Sequence, residues 1–155
     1  MKFKFTALAF VIQLLLLTNV NAAIIEIGSI DTPGDATDVV VSGDYAYIAD
    51  GQSGLRIIDI GNPEEPESVG AFDTEGSTFA VAVGGDFGFL ADGMSGLVIV
   101  DISNPADPQA LSELSFDRSL INDVAVSGDY AYLSDPLNGM RIIDVSDLEN
   151  PEQIS

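Results

Sequence analysis

Carboxylates are the principal chemical groups of this sequence, because acidic residues are abundant while histidine and cysteine are absent. The chain of 155 residues carries 25 Asp and Glu against 5 Lys and Arg, with no His and no Cys. It therefore lacks the Ser–His, Cys–His and His–metal groupings of many enzymes. Two carboxylates can hydrolyse a glycosidic bond, but most of these acids lie in turn motifs, where Asp has a local backbone role. We predict no catalytic residue and no enzymatic activity.

Three aspartates at one position of an internal repeat are the candidates for a metal site. Asp50, Asp92 and Asp135 each stand in a short loop that also contains Ser or Asn. Oxygen-rich loops of this kind can hold Ca²⁺. The loops have neither the EF-hand spacing nor the nonapeptide calcium repeat. Calcium is therefore the one cofactor that we retain as an alternative to no cofactor at all.

Positions that differ between the repeats are better candidates for ligand binding, since residues shared by every repeat serve the fold. Asp38 and Asp123 precede the first strand of two repeats, and Ala80 replaces them in the other. The first strand lies nearest the axis of a ring of repeats, so these carboxylates are expected at the mouth of its channel. Arg118, in the one irregular loop, has no counterpart. We predict Asp38, Asp123 and Arg118 as ligand candidates, with a merely solvated role as the alternative.

Two other recurring positions are predicted to be structural. The third strand of each repeat ends in an aspartate that should accept hydrogen bonds from backbone N–H groups of the next turn. These residues are Asp59, Asp101 and Asp144. Arg56 and Arg141 share a position at which Val98 stands in the second repeat. We expect each arginine to pair with a nearby aspartate.

The repeat itself is visible as three aligned segments. Each joins a Val-rich stretch to a Gly-Asp pair, an aromatic–small–aromatic stretch and a nearly continuous apolar stretch. The aspartates of the Gly-Asp pairs, Asp44, Asp86 and Asp129, lie 42 and 43 residues apart. Four short strands in about 42 residues indicate a β-propeller blade. A β-solenoid would have shorter repeats, and a β-sandwich would not need near-identical ones.

The apolar third strands also carry a family resemblance. Residues 97–101 read Leu-Val-Ile-Val-Asp, and residues 55–59 and 140–144 are close variants. With the following Ile-Ser-Asn-Pro of residues 102–105, this resembles the LVIVD repeat family. The resemblance implies a β-propeller in an exported bacterial or archaeal protein. It implies little about activity, because a scaffold does not define a function.

The sequence therefore predicts an all-β protein with three four-stranded blades, as part of a larger propeller. Residues 23–155 form the repeat region, with blades at about 36–74, 78–116 and 120–155. Residues 24–31 resemble the fourth strand of a preceding blade and are expected to form a partial strand. Propellers have about four to eight blades, so three blades are too few for a ring. Either further blades of the same chain follow, or a second copy completes the ring.

The N-terminus predicts export. Lys2 and Lys4 precede an apolar stretch over residues 5–17 and small residues up to Ala22. This pattern is typical of a signal peptide over residues 1–22, and the stretch is shorter than the roughly 20 apolar residues of a membrane span. The chain is thus expected to be secreted, periplasmic or displayed at the cell surface, with no membrane span after cleavage.

Net charge narrows the class of partner. A formal charge of −20 repels nucleic acid and anionic lipid, so neither is expected as a partner. The sequence favours an exported module that binds a protein or carbohydrate, or acts as a scaffold. A structural part of a surface layer is the first alternative, and the non-catalytic part of a larger secreted enzyme is the second.

Overall fold

The computed structural model describes residues 25–154, and the predicted signal peptide lies outside them. The described chain is all-β, as predicted, with twelve strands in three four-stranded antiparallel sheets. The first sheet contains β1 (Asp38–Ser42), β2 (Tyr45–Ala49), β3 (Leu55–Asp59) and β4 (Glu67–Phe72). The second contains β5 (Ala80–Gly84), β6 (Phe87–Ala91), β7 (Leu97–Asp101) and β8 (Gln109–Leu114). The third contains β9 (Asp123–Ser127), β10 (Tyr130–Asp135), β11 (Gly139–Asp144) and β12 (Glu152–Gln153). Within this part of the chain, no helix has the length and hydropathy needed to cross a bilayer.

Each sheet is a meander in which sequence neighbours pair, so we call the sheets blades one, two and three. Two-residue turns join the first and second strands, and Gly43, Gly85 and Gly128 each have a φ near +60° there. Only glycine adopts this conformation readily, which explains the Gly-Asp pairs of the sequence. The three innermost strands, β1, β5 and β9, contact one another in turn, so they lie nearest the axis.

Apolar packing between successive blades forms the core. One cluster joins Tyr47 and Ile57 of blade one to Leu90 and Val100 of blade two. A second cluster joins the opposite face of blade two to blade three. A β-bulge in the outer strands of blades one and two inserts one extra residue, and this lets an apolar side chain on each outer strand pack into these clusters.

Backbone hydrogen bonds also cross the junctions. Gly51, in the β2–β3 turn, exchanges two bonds of 2.9 and 3.2 Å with Thr78, which precedes blade two. Gly93 and Ile121 make the equivalent pair at 2.9 and 3.0 Å between blades two and three. Each blade is therefore fixed to the next by a short antiparallel bridge as well as by apolar contact.

The expected partial strand over residues 24–31 is not formed, since residues 25–31 belong to no strand. A strand needs a hydrogen-bonding partner, and the described residues provide no blade before blade one. The segment nevertheless occupies the place of a preceding outer strand. Gly28 lies against the Pro63 carbonyl as Gly70 lies against the Pro105 carbonyl. The sequence similarity thus predicted the position but not the pairing.

Truncation of a core side chain should destabilise the whole array. Leu97 is 0% exposed at the junction of blades two and three. Leu97→Ala should lower the free energy of unfolding by about 2–5 kcal/mol, because it leaves a cavity. Urea denaturation measures this. Met94→Ala, at an exposed turn, should change it by less than about 0.5 kcal/mol, and an equal loss in both variants would contradict the assigned core.

Candidate functional site

All six candidate residues lie at one edge of the blades, where the first strands begin and the second strands end; we call it the upper edge. Asp38 begins β1 and pairs with Ala49, so Asp50 follows directly beside it. The repeat places Asp92, Asp123 and Asp135 equivalently. The six residues are Asp38, Asp50, Asp92, Arg118, Asp123 and Asp135.

The carboxylate of Asp92 is buried and surrounded by hydrogen-bond donors. Its Oδ1 accepts bonds from the hydroxyls of Thr74 at 2.7 Å and Thr78 at 2.9 Å. Its Oδ2 accepts a bond from the N–H of Gly76 at 2.9 Å. The carboxylate thereby fixes the loop between blades one and two against the β6–β7 turn.

Asp50 repeats this arrangement with the N-terminal segment. Its oxygens accept bonds from the Thr32 hydroxyl at 2.5 Å and the Gly34 N–H at 2.8 Å. Arg56 lies beside it, with Nε at 3.8 Å from Oδ2, and binds Asp73 at 2.9 Å. The expectation that Arg56 pairs with an aspartate is confirmed.

Asp135 has the largest set of donors. It accepts bonds from the Ser119 hydroxyl at 2.5 Å, the Leu137 N–H at 2.9 Å and the Asn138 amide at 2.8 Å. Arg141 adds an ion pair at 3.0 Å, as expected. Burial opposes ionisation of Asp135, but the bonds from Ser119, Asn138, Leu137 and Arg141 outweigh it and hold its pKa well below the usual range.

The hydrogen-bond donors around Asp50, Asp92 and Asp135 are relevant to whether these residues bind calcium. Ca²⁺ takes six to eight oxygen ligands, whereas these carboxylates accept bonds from hydroxyl, amide and guanidinium groups. In residues 25–154, no three acidic side chains cluster as a metal site would require. Calcium at Asp50, Asp92 and Asp135 stays a prediction, for which a melting-temperature shift larger with Ca²⁺ than with Na⁺ at equal ionic strength would be the evidence.

Asp38 and Asp123 lie near the axis, but their carboxylates have different hydrogen-bond partners. Asp38 accepts bonds from its neighbour Val39 at 2.8 Å and from Val81 of blade two at 3.0 Å, so it joins two inner strands. Asp123 is exposed and accepts a bond from Val124 at 2.9 Å through Oδ1. The same residue type therefore fastens a junction in blade one and faces an open blade surface in blade three.

Arg118 has an exposed side chain in a strained loop. Its φ of 53° is left-handed, which is uncommon for a residue with a side chain. The Asn138 amide donates to its carbonyl at 3.0 Å. This bond helps to hold the loop in which Ser119 donates its hydroxyl to Asp135. The role of Arg118 as a ligand residue stays a prediction.

The three turn aspartates behave as predicted. Asp59, Asp101 and Asp144 accept bonds from backbone N–H groups two residues on, at 2.8 to 2.9 Å. Hydrogen bonds from Ser146 lower the pKa of Asp144. Their place is the lower edge of the blades, away from the candidate residues.

A cleft between blades one and two was not anticipated from the sequence. It has a volume of about 370 Å³, with Val98 and Ala110 among its apolar walls and Asp73, Glu75 and Glu113 among its polar ones. At the next junction, Arg141 occupies the position of Val98, and its guanidinium stacks 4.6 Å from the Phe116 ring. The available signal for the cleft was that Val98 stands at the repeat position where the other two blades have an arginine. The sequence alone does not show that this difference leaves a space.

These sheets and junctions define a repeat protein of propeller blades that do not close into a ring within the described residues. The family model described as LVIVD repeat matches residues 33–74, 75–113 and 121–154. The chain belongs to the LVIVD repeat family, as its third strands suggested.

Comparison with other proteins adds evidence on the fold alone. The crystal structure of the computationally designed Ika8 protein is similar, with a TM-score of 0.58 and 8% sequence identity. The match covers 70% of this chain and 33% of the designed one, so the chain spans about a third of that protein's length. No curated protein sequence matches.

Removal of the Asp135 charge should destabilise blade three above pH 4. Asp135→Asn leaves Arg141 without its anion and should cost about 1–3 kcal/mol near neutral pH. Because the folded-state pKa lies below the unfolded value of about 3.9, the stabilisation is full above that pH and is lost as the pH falls. Denaturation of both proteins between pH 7 and pH 3 should show the difference shrinking below about pH 4.

The matched control is Asp129→Asn, at an exposed turn of the same blade. It removes the same charge but no buried hydrogen bond and should leave stability nearly unchanged. A constant difference between wild type and Asp135→Asn across this pH range would contradict the ion-pair interpretation.

Proposed function

We propose that this chain is an exported, non-catalytic module that binds a protein partner at the cell surface or in secretions. The support for export is the N-terminal pattern of two lysines and an apolar stretch. Support for a non-catalytic role is the absence of His and Cys from the sequence. The binding role rests on the cleft between blades one and two.

The observation that carries the binding role is the cleft beside Val98, at the repeat position where blade three has the side chain of Arg141. Arg141 contacts Phe116 and Gln153, and these residues match Thr74 and Ala110 in the repeat. Thr74, Ala110 and Val98 all line the cleft. The cleft is therefore the space that a guanidinium fills one junction later.

The chemistry of the cleft favours a cationic side chain as ligand. Carboxylates of Asp73, Glu75 and Glu113 line it. Asp73 is already paired with Arg56, so the attraction for a further cation comes from the exposed Glu75 and Glu113. The whole chain has a formal charge of −20, which attracts cations and raises their association rate. An arginine or lysine of a partner polypeptide combines this charge with an apolar stem that fits Val98 and Ala110.

A structural role in a surface layer is the second candidate. The observation in its favour is that blades one and three each keep an apolar face uncovered, with Val39 and Met140 more than half exposed. Self-association through such faces builds arrays without any ligand. The cleft is not explained by that role, so binding is the stronger proposal.

Titration with a small arginine probe tests the binding role. N-acetyl-arginine amide should shift the amide NMR signals of Val98 and Leu111, with a dissociation constant on the order of millimolar for a single side chain. Val98→Arg should abolish these shifts, because it supplies the guanidinium from within. The neutral citrulline analogue should give much smaller shifts.

The matched control is Met94→Arg, which adds the same charge at an exposed turn. It should retain the shifts at Leu111. Equal shifts for the arginine and citrulline probes, or unchanged binding by Val98→Arg, would show that the cleft does not recognise a cationic side chain.

A further inference from the structure

Blade three keeps one apolar face uncovered, and the repeat shows what such a face binds. Met140 is 64% exposed, whereas its counterparts Leu55 and Leu97 are each 0% exposed, because the next blade covers them. Tyr132, Met140 and Asp123 surround a concavity of about 350 Å³ on this face. This face of blade three therefore has the same kinds of residue as the faces of blades one and two that pack against a following blade.

Blade one keeps the opposite kind of face uncovered. Val39 is 58% exposed, whereas its counterparts Val81 and Val124 are 4% and 6% exposed, because a preceding blade covers them. Val41, on the same strand, is 59% exposed. A terminal blade of a repeat array normally has a polar outer face, so these faces are unlike the ends of an open array.

We propose that the free face of blade three binds the free face of blade one from a second copy of this chain. The two kinds of face already bind each other twice within one chain, at the two apolar clusters. Two copies of the three described blades supply six, which is within the range of about four to eight blades found in propellers. The proposed assembly is a dimer with two identical intermolecular junctions.

The N-terminal segment provides a further part of this junction. Relative to blade one, it lies where the outer strand of a preceding blade lies. Thr32 binds Asp50 as Thr74 binds Asp92. In the dimer, the preceding blade is blade three of the other copy. Its β12 and Ile154 already bind β11 as far as Ile142, so residues 25–28 must move aside for residues 29–30 to reach the free part of that edge.

That edge is incomplete within the described residues. The short β12 pairs only with Ile143 and Asp144, at the far end of β11. In blade one, the corresponding outer strand continues until Phe72 pairs with Leu55. The repeat matches Leu55 to Met140 and Phe72 to Ile30. Ile30 of one copy should therefore lie opposite Met140 of the other and extend the outer strand.

Charge and one proline weaken this junction relative to the internal two. Both copies carry −20, and the junction brings Asp123 of one copy towards Asp38 of the other. Pro136 stands where Gly51 and Gly93 donate a hydrogen bond to the next blade, and proline has no N–H. Association should therefore strengthen with salt, which screens exposed like charges.

Light scattering coupled to gel filtration tests the proposal on the purified chain at about 100 µM, in low salt and in 0.5 M NaCl, where the Debye length falls to roughly 4 Å. The expected mass in high salt is twice that of one chain. Met140→Asp and Val39→Asp each place a charge on one of the two faces and should each give monomers. A wild-type monomer, or an open polymer, in both salt conditions would overturn the proposal.

Mixing distinguishes a damaged face from a damaged fold. A dimer of one Met140→Asp chain and one Val39→Asp chain keeps one intact junction, so the mixture should recover dimers that neither variant forms alone. Met94→Asp, at an exposed turn outside both faces, should remain dimeric. Failure of the mixture to associate, with each variant folded by circular dichroism, would contradict the head-to-tail arrangement.

A disulfide tests the strand register. The chain has no native Cys, so Ile30→Cys with Met140→Cys provides a unique pair. Residues opposite each other in antiparallel strands have Cα atoms about 4.5–5.5 Å apart, which suits a disulfide. Mild oxidation should give a covalent dimer on a non-reducing gel, whereas Ile30→Cys with Met94→Cys should not. Equal cross-linking in both variants would refute the composite strand.

Discussion

Blade two is apolar on both faces, and this property governs the rest of the architecture. Leu90, Val98 and Val100 face blade one, while Phe89, Leu97 and Ile99 face blade three. Burial of apolar surface contributes roughly 25 cal/mol per Å², but a single sheet cannot cover two such faces. Neighbouring blades must cover these faces, which is why the fold consists of stacked sheets. For the same reason, the uncovered faces of blades one and three expose apolar side chains.

Apolar packing alone would leave the blades free to slide, and buried carboxylates limit that movement. Asp92 binds groups 14 to 18 residues earlier in the chain, on the loop that enters its own blade. A buried charge is costly unless every oxygen finds a donor, so only one loop geometry satisfies it. In blade three the donors change to Ser119, Asn138 and Arg141, yet Asp135 remains saturated. All three blades thus keep the buried aspartate at this position, while the groups that donate hydrogen bonds to it differ between blades.

The sequence was sufficient for those features that depend on neighbouring residues. Alternating apolar residues and Gly-Asp turns predicted the strands, and the turn role of Asp59 follows from a bond only two residues long. The burial of Asp50 and the bond from Val81 to Asp38 were not predictable in the same way. Their partners lie 16 to 43 residues away, and only the docking of blades brings them together.

Departures from the repeat make the two junctions differ. The junction between blades two and three has an arginine and a phenylalanine, Arg141 and Phe116, whose groups stack and fill the space. The preceding junction has Val98 and Thr74 at the same places and leaves a cleft. A repeat scaffold thus acquires a cleft when one junction lacks the side chains that fill the next, and its strands need not change.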